Sequence, residues 1–172
     1  GSNVLKINSS NAVTNISGDG AITSPTNTLF YGNWNSGMAG STNNVGYLWK
    51  DVPGMQKFGK YAGSGNNSGT HVYLGFRPAI VWVKSYDTAG QEWVVWDDER
   101  SPYNVVSKYF YLEQNIIENG DGANRNVDFL SDGFKFRYGS SGATDYSGRN
   151  YIYCAWADQP THNLFGGQSN AR

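Results

Sequence analysis

The chain has 172 residues, with 13 Lys and Arg against 14 Asp and Glu, and a formal net charge of −1. It carries no basic run or stripe, which excludes an electrostatic grip on nucleic acid or anionic lipid. The longest apolar run, near Ala79 to Val83, is far too short to span a membrane.

Twenty-two glycines, 12 tyrosines and 6 tryptophans, with little Leu, Lys or Glu, favour strands and turns over helices. Period-two patterns between turn residues predict strands at Val4–Ile7, Ala12–Ile16 and Thr28–Tyr31. A polar loop then runs from Gly32 to Asn44. Further strands are predicted at Val45–Trp49, Gln56–Tyr61, His71–Phe76 and Ala79–Lys84. Ile80-Val81-Trp82-Val83 does not alternate, the pattern of a strand covered on both faces. Glu92–Trp96 is its natural partner, because Ser85–Gly90 between them has hairpin-loop composition. Val105–Leu112 reads as strand or extended loop, and Glu113–Glu118 as one helical turn. After the Asn119-Gly120-Asp121-Gly122 turn come strands at Val127–Leu130 and Phe134–Tyr138. The last is Asn150–Ala157, with Tyr151, Tyr153 and Ala155 on one face and Ile152, Cys154 and Trp156 on the other. Cys154, the one cysteine, is read as a small buried hydrophobe. Residues from Pro160 onward read as an exposed tail. About a dozen short strands with glycine-rich turns predict an all-β fold, an antiparallel β-sandwich of concanavalin or jelly-roll type with glycine-rich loops.

The chain also matches itself. Trp49-Lys50-Asp51-Val52-Pro53 parallels Trp156-Ala157-Asp158-Gln159-Pro160, and the same offset of 107 residues sets Tyr31-Gly32 on Tyr138-Gly139. The motif implies a tryptophan that anchors a strand end in the core, an Asp that caps the next turn and a Pro that stops the ladder. The expected division is therefore 1–53, the C-terminal part of a preceding unit packed on the next, and 54–172, one sandwich unit with its tail. The first residue is not methionine and the opening Gly-Ser reads as a cloning remnant, so the chain is expected to be a segment of a longer protein.

From Val52 to Arg172 the matching strings are Val52-Pro53-Gly54, Lys57-Phe58-Gly59-Lys60-Tyr61, Gly75-Phe76-Arg77-Pro78-Ala79, Asp98-Glu99-Arg100-Ser101-Pro102-Tyr103-Asn104 and Val127–Phe136. On these residues the chain resembles the repeated β-domain of tail-fibre and virion structural proteins of marine bacteriophages, cyanophages included, which often sits beside concanavalin-like sandwich modules. Trp156 stands where phenylalanine is expected. The resemblance implies a structural or adsorption role on an extracellular virion, as a homo-oligomer, a trimer, that meets a host surface glycan or another virion protein. It brings no catalytic residues and no cofactor.

Exposed aromatics flanked by Asn, Ser and Gly combine flat apolar faces with adaptable hydrogen bonding, the chemistry of carbohydrate and protein contact surfaces. Tyr61, Tyr73, Tyr103, Tyr109, Tyr111, Tyr146 and Trp34 cannot all be buried, and the loop residues Trp34, Tyr103 and Tyr146 are the candidate ligand-binding residues. Asp97-Asp98-Glu99 is the densest acidic cluster. Paired carboxylates hydrolyse glycosides, but neighbours on a strand point to opposite faces, so a solvated strand end with Arg100 as partner is the plainer reading. Asn119, Asp121, Asn124 and Asp128 do not fit a calcium loop. His71 and His162 are too few for zinc and too isolated for a triad, and Gly63-Ser64-Gly65 opens no helix to cradle a phosphate. No metal or cofactor is expected, and catalysis is not. The alternatives are a virion-borne glycan depolymerase and a secreted bacterial carbohydrate-binding module.

Overall fold

The computed structural model describes residues 2–16, 22–23, 31–32, 47–118 and 123–158, and these form β-structure with antiparallel pairing throughout. The chain divides into two units, Gly1–Lys6 with Val13–Trp49 and Ile7–Ala12 with Lys50–Arg172. The boundary near residue 53 expected from the repeat thus falls at Trp49, and a six-residue segment near the N-terminus belongs with the larger unit.

In the smaller unit, β1 (Ser2–Val4) pairs with β2 (Thr14–Ile16), and β3 (Ile22–Thr23) with β4 (Tyr31–Gly32). The strand expected at Val45–Trp49 does not form over its described residues: Tyr47, Leu48 and Trp49 are coil with exposed side chains, and the Tyr47 and Trp49 rings stack on each other. Trp49 therefore anchors nothing in a core, and the physical sense given to the repeat fails at its first copy.

The larger unit is a sandwich of two sheets. Its strands are β5 (Gln56–Ala62), β6 (His71–Tyr73), β7 (Pro78–Ser85), β8 (Val94–Asp97), β9 (Phe110–Tyr111), β10 (Val127–Leu130), β11 (Gly133–Phe136) and β12 (Asn150–Ala157). One sheet has the order β5-β12-β7-β8-β9 and the other β10-β11-β6. Period-two alternation fills the space between them. Val81 and Val83 from β7, Val94 and Trp96 from β8, and Tyr151, Tyr153 and Ala155 from β12 meet Val72, Val127, Phe129, Phe134 and Phe136 from the other sheet. Ring contacts cross the gap: Tyr61 to Phe136 at 5.3 Å, Phe134 to Tyr153 at 5.8 Å and Trp96 to Phe136 at 6.1 Å. Each such side chain, fully buried, is worth about 1.5–3 kcal/mol of transfer free energy.

Residues 104–111 join the sheets along one side. Val106 bridges to Val127 of β10, and Phe110 and Tyr111 pair with Val95 and Val94 of β8. This stretch had read as either strand or loop, and it is both. The helical turn expected at Glu113–Glu118 is coil. The one helical element among the described residues is a single 3-10 turn at Ala123–Arg125.

On the outer face of the five-stranded sheet, Trp156 packs edge-on against Phe58 and Trp82, at 5.6 and 5.1 Å. Trp156 is thus half-buried outside the sandwich core, so the second copy of the repeat does not place its tryptophan in the core either. Cys154 lies between Phe58 and Trp82 in register, half-buried, and burial pushes its thiol up to about 11. Further along this face Lys84 is fully buried. Its Nζ donates to the Ser10 carbonyl at 3.0 Å and to that of Gln91, and Gly90 N donates to the same Ser10 carbonyl. The expected tail beyond Pro160 lies outside the described residues.

The long edge strand β5 is guarded along its length. Gln56 exchanges both backbone hydrogen bonds with Val52, Phe58 N donates to Asp51 Oδ1 at 2.9 Å, and the Ala62 carbonyl accepts from Thr70 Oγ1. Lys60 between them is exposed and charged, a device that blunts sheet edges.

Candidate functional site

The antiparallel order puts the loops at two opposite ends. Residues 63–70, 86–93 and 137–149 lie at one end, and residues 50–55, 74–77, 98–103 and 131–132 at the other.

The first end is organised by Asp145, which is fully buried. One carboxylate oxygen accepts from Ser64 N and Thr70 Oγ1 at 2.9 and 2.8 Å, the other from Ser64 Oγ and Thr70 N at 2.8 and 3.0 Å. Four donors satisfy a charge that would otherwise be expensive to bury. Glycines let the loops close around it. A Cβ at Gly63 would lie 2.2 Å from the Tyr146 carbonyl oxygen, and one at Gly69 would lie 2.4 Å from Asp145 Oδ2. Gly63-Ser64-Gly65 therefore serves a carboxylate inside the fold. Beneath it the Tyr61 and Tyr151 rings stack at 4.9 Å, Tyr61 donates to the Thr144 carbonyl, and Tyr151 Oη donates to the Gly142 carbonyl and accepts from Tyr146 N. Burial raises the Tyr61 pKa well above 10 and pushes that of Tyr151 up to about 12.

At the opposite end the Gly75-Phe76-Arg77-Pro78-Ala79 string crosses from one sheet to the other. Gly75 takes a φ of 85°, open to glycine without a steric penalty. Phe76 enters the core, Leu74 N and Gly75 N donate to the Asp132 carbonyl, and Arg77 Nη1 binds Asp98 Oδ2 at 2.7 Å. Beside this turn is a shallow hollow of about 220 Å³. Val52, Pro53, Leu74 and Phe76 give it an apolar lining, and Asp51, Gln56 and Lys57 a polar one. Asp51 accepts from Phe58 N inside β5 and so covers the strand edge, where the Trp-x-Asp-x-Pro string implied a cap on the next turn. Lys57 Nζ donates to the Tyr73 carbonyl at 2.8 Å and lies 5.3 Å from the centroid of the Tyr73 ring, which is 62% exposed.

Tyr103 belongs to this same end and is 84% exposed. Its loop is held from behind. Asn104 Nδ2 donates to the Phe129 carbonyl at 2.9 Å, and Asn104 Oδ1 accepts from Phe129 N at 2.8 Å, so one amide side chain replaces a strand neighbour. Tyr146, 45% exposed, is at the Asp145 end with the Arg149 guanidinium 4.8 Å from its ring centroid. Tyr103 and Tyr146 therefore cannot form one site, and Trp34 lies outside the described residues. Of the other tyrosines singled out, Tyr109 is buried, and Tyr61 and Tyr111 pack against the core. Tyr73, Asp51 and Lys57 escaped sequence reasoning as a group. The outward phase of Tyr73 beside Val72 was visible, but its neighbour on β5 was not.

The acidic cluster is neutralised by arginine. Asp97 accepts from Arg100 N and from Arg100 Nε at 2.8 and 2.6 Å, Arg100 also pairs with Glu118, and Asp98 goes to Arg77. The Glu118 and Asp97 carboxylates raise the Arg100 pKa. Asp128 is buried and paired with Arg137, which removes it from any calcium loop; Asn119 and Asp121 lie outside the described residues. His71 Nε2 is 3.4 Å from Asp132 Oδ1, and His162 is outside the described residues. Among the described residues no three His, Cys, Asp or Glu side chains are grouped to hold a metal.

Residues 1–160 match the family model described as a domain of unknown function, DUF7483. No curated protein and no solved structure matches the chain.

Proposed function

This chain belongs to the DUF7483 family, and we propose that it is a non-catalytic structural and adsorption module of a phage tail fibre or other virion appendage. It meets a host surface glycan or a partner virion protein through the loops at the Phe76 end. The observation that carries this reading is Tyr103: an almost fully exposed ring on a loop that Asn104 and Val106 fasten to β10. A preorganised aromatic loses little entropy on binding, the usual property of a contact residue. The resemblance of residues 52–172 to virion β-domains supports the same role. The resemblance supports a trimer, and the exposed apolar run Tyr47-Leu48-Trp49 offers surface for contact between copies.

The depolymerase alternative has less support. The hollow is lined by one carboxylate, Asp51, where glycoside hydrolysis uses two, and Asp97 and Asp98 are each held by an arginine. A secreted carbohydrate-binding module would use the same end of the sandwich.

Binding of the purified chain to a glycan array and to intact host cells tests the proposal. Tyr103→Ala is expected to lower retention at least tenfold with an unchanged fold. Retention of wild type on neither surface would overturn the adsorption role, and a monomer by light scattering would overturn the trimer.

A further inference from the structure

We propose that the hollow between the Asp51–Gln56 turn and the Gly75–Pro78 turn is a subsite for one neutral pyranose ring. This inference rests on the adsorption reading above and gives it a ligand class. Its volume, about 220 Å³, is below the roughly 300–1,000 Å³ of sites that enclose drug-sized ligands, and suits a single sugar.

The chemistry follows from what the polar lining has left to give. The Lys57 ammonium has three donors and gives one to the Tyr73 carbonyl. Asp51 accepts from Phe58 N through Oδ1, and Oδ2 faces no donor in that bond. Gln56 gives Nε2 to the Lys50 carbonyl, which leaves Oε1 as an acceptor. Donors and acceptors thus share the hollow with the apolar side chains of Val52 and Pro53, the buried Leu74 and Phe76 closing it from the core side. Vicinal hydroxyls, each both donor and acceptor, match that polar lining, and the C–H face of a pyranose matches the apolar one. Lys57 and Asp51 leave the lining without a net charge, so a charged sugar gains at one and loses at the other, and a neutral ring that hydrogen-bonds both is the ligand the lining matches. The exposed Tyr73 ring beside Lys57 extends the surface along which a longer chain would continue.

Saturation-transfer NMR on the full chain tests the subsite, with methyl glycosides of glucose, galactose and mannose as probes and methyl glucuronoside as the charged control. Saturation transfer to at least one neutral glycoside is expected, with a Kd on the order of 1 mM for a ligand of this size. Lys57→Met and Asp51→Asn should each weaken it at least tenfold, and Tyr146→Ala at the far end should leave it unchanged. Asp51→Asn keeps Oδ1 as the cap on Phe58 N, so the fold survives and an unchanged urea midpoint confirms it. Transfer to none of the neutral glycosides, transfer that survives both substitutions, or stronger binding of the glucuronoside overturns the subsite. The two readings separate on the array and cell assays. If Tyr103→Ala abolishes retention and Lys57→Met does not, the adsorption role stands and the subsite falls. If wild type is retained nowhere but binds a neutral methyl glycoside through Lys57, the subsite stands and the adsorption role falls.

Discussion

The two ends of the sandwich spend their polar side chains in opposite ways. At the Asp145 end a buried carboxylate accepts from one serine hydroxyl, one threonine hydroxyl and two loop amides, two tyrosines donate to loop carbonyls, and glycines at 63 and 69 let the backbones close on them. At the Phe76 end Lys57, Asp51 and Gln56 each keep capacity that the described residues do not use around a hollow, and Tyr73 and Tyr103 stand out from the surface. The same composition of Gly, Ser, Asn and Tyr therefore does two jobs. In one place it fixes the fold, and in the other it leaves groups for a partner. Loop composition alone does not distinguish them; the direction of the hydrogen bonds does.

The strongest way to break this contrast is to remove the buried charge. Asp145→Ala strands the amides of Ser64 and Thr70 and is expected to cost about 3–5 kcal/mol, read as a lower midpoint in urea. An unchanged midpoint would mean that the Asp145 end is not the structural one. Alkaline pH probes the same end. Burial holds the pKa of Tyr151 near 12 and that of Tyr61 well above its ordinary value, whereas both ionise near about 10 when unfolded. Between those values the folded state keeps protons that the unfolded state has lost, so stability should be full below about pH 10 and fall as pH rises toward 12. Denaturant midpoints from pH 8 to 11 would show the decline, and Tyr151→Phe should flatten it.

The other end calls for smaller effects. Asn104→Ala leaves both backbone groups of Phe129 without their partner and is expected to cost about 1–2 kcal/mol, with ligand retention lost through loosening of the Tyr103 loop. Tyr103→Ala itself should change stability by no more than about 0.5 kcal/mol and yet remove retention. A large stability loss from Tyr103→Ala would place that ring among the structural residues and erase the contrast.

The sandwich was legible where a strand alternates against a core. Asn150–Ala157 and Val127–Leu130 have the bounds their patterns gave, and β5 and β7 differ only at their ends. Segments whose apolar side chains do not enter the core misled. Val45–Trp49 has strand composition, but its described part is exposed coil, and Glu113–Glu118 has helix formers but is a bend and coil. The Asp145 network was hidden because its partners are 75 and 81 residues distant in sequence. No local period marks an Asp that will be buried, and Gly63-Ser64-Gly65 showed only that no helix opens there to cradle a phosphate. The hollow was hidden for the same reason: Lys57 and Tyr73 meet across a strand edge 16 residues apart.

The guarded edge of β5 bears on how such units live together. Modules joined by short linkers reach effective concentrations of about millimolar with respect to one another, and at that density an open strand edge would pair with its neighbour. Val52, Asp51 and Thr70 occupy backbone positions along this edge, and Lys60 repels what approaches it. That edge of the sheet is thereby closed to pairing with a second copy, and it would stay closed at the local density of a tandem array.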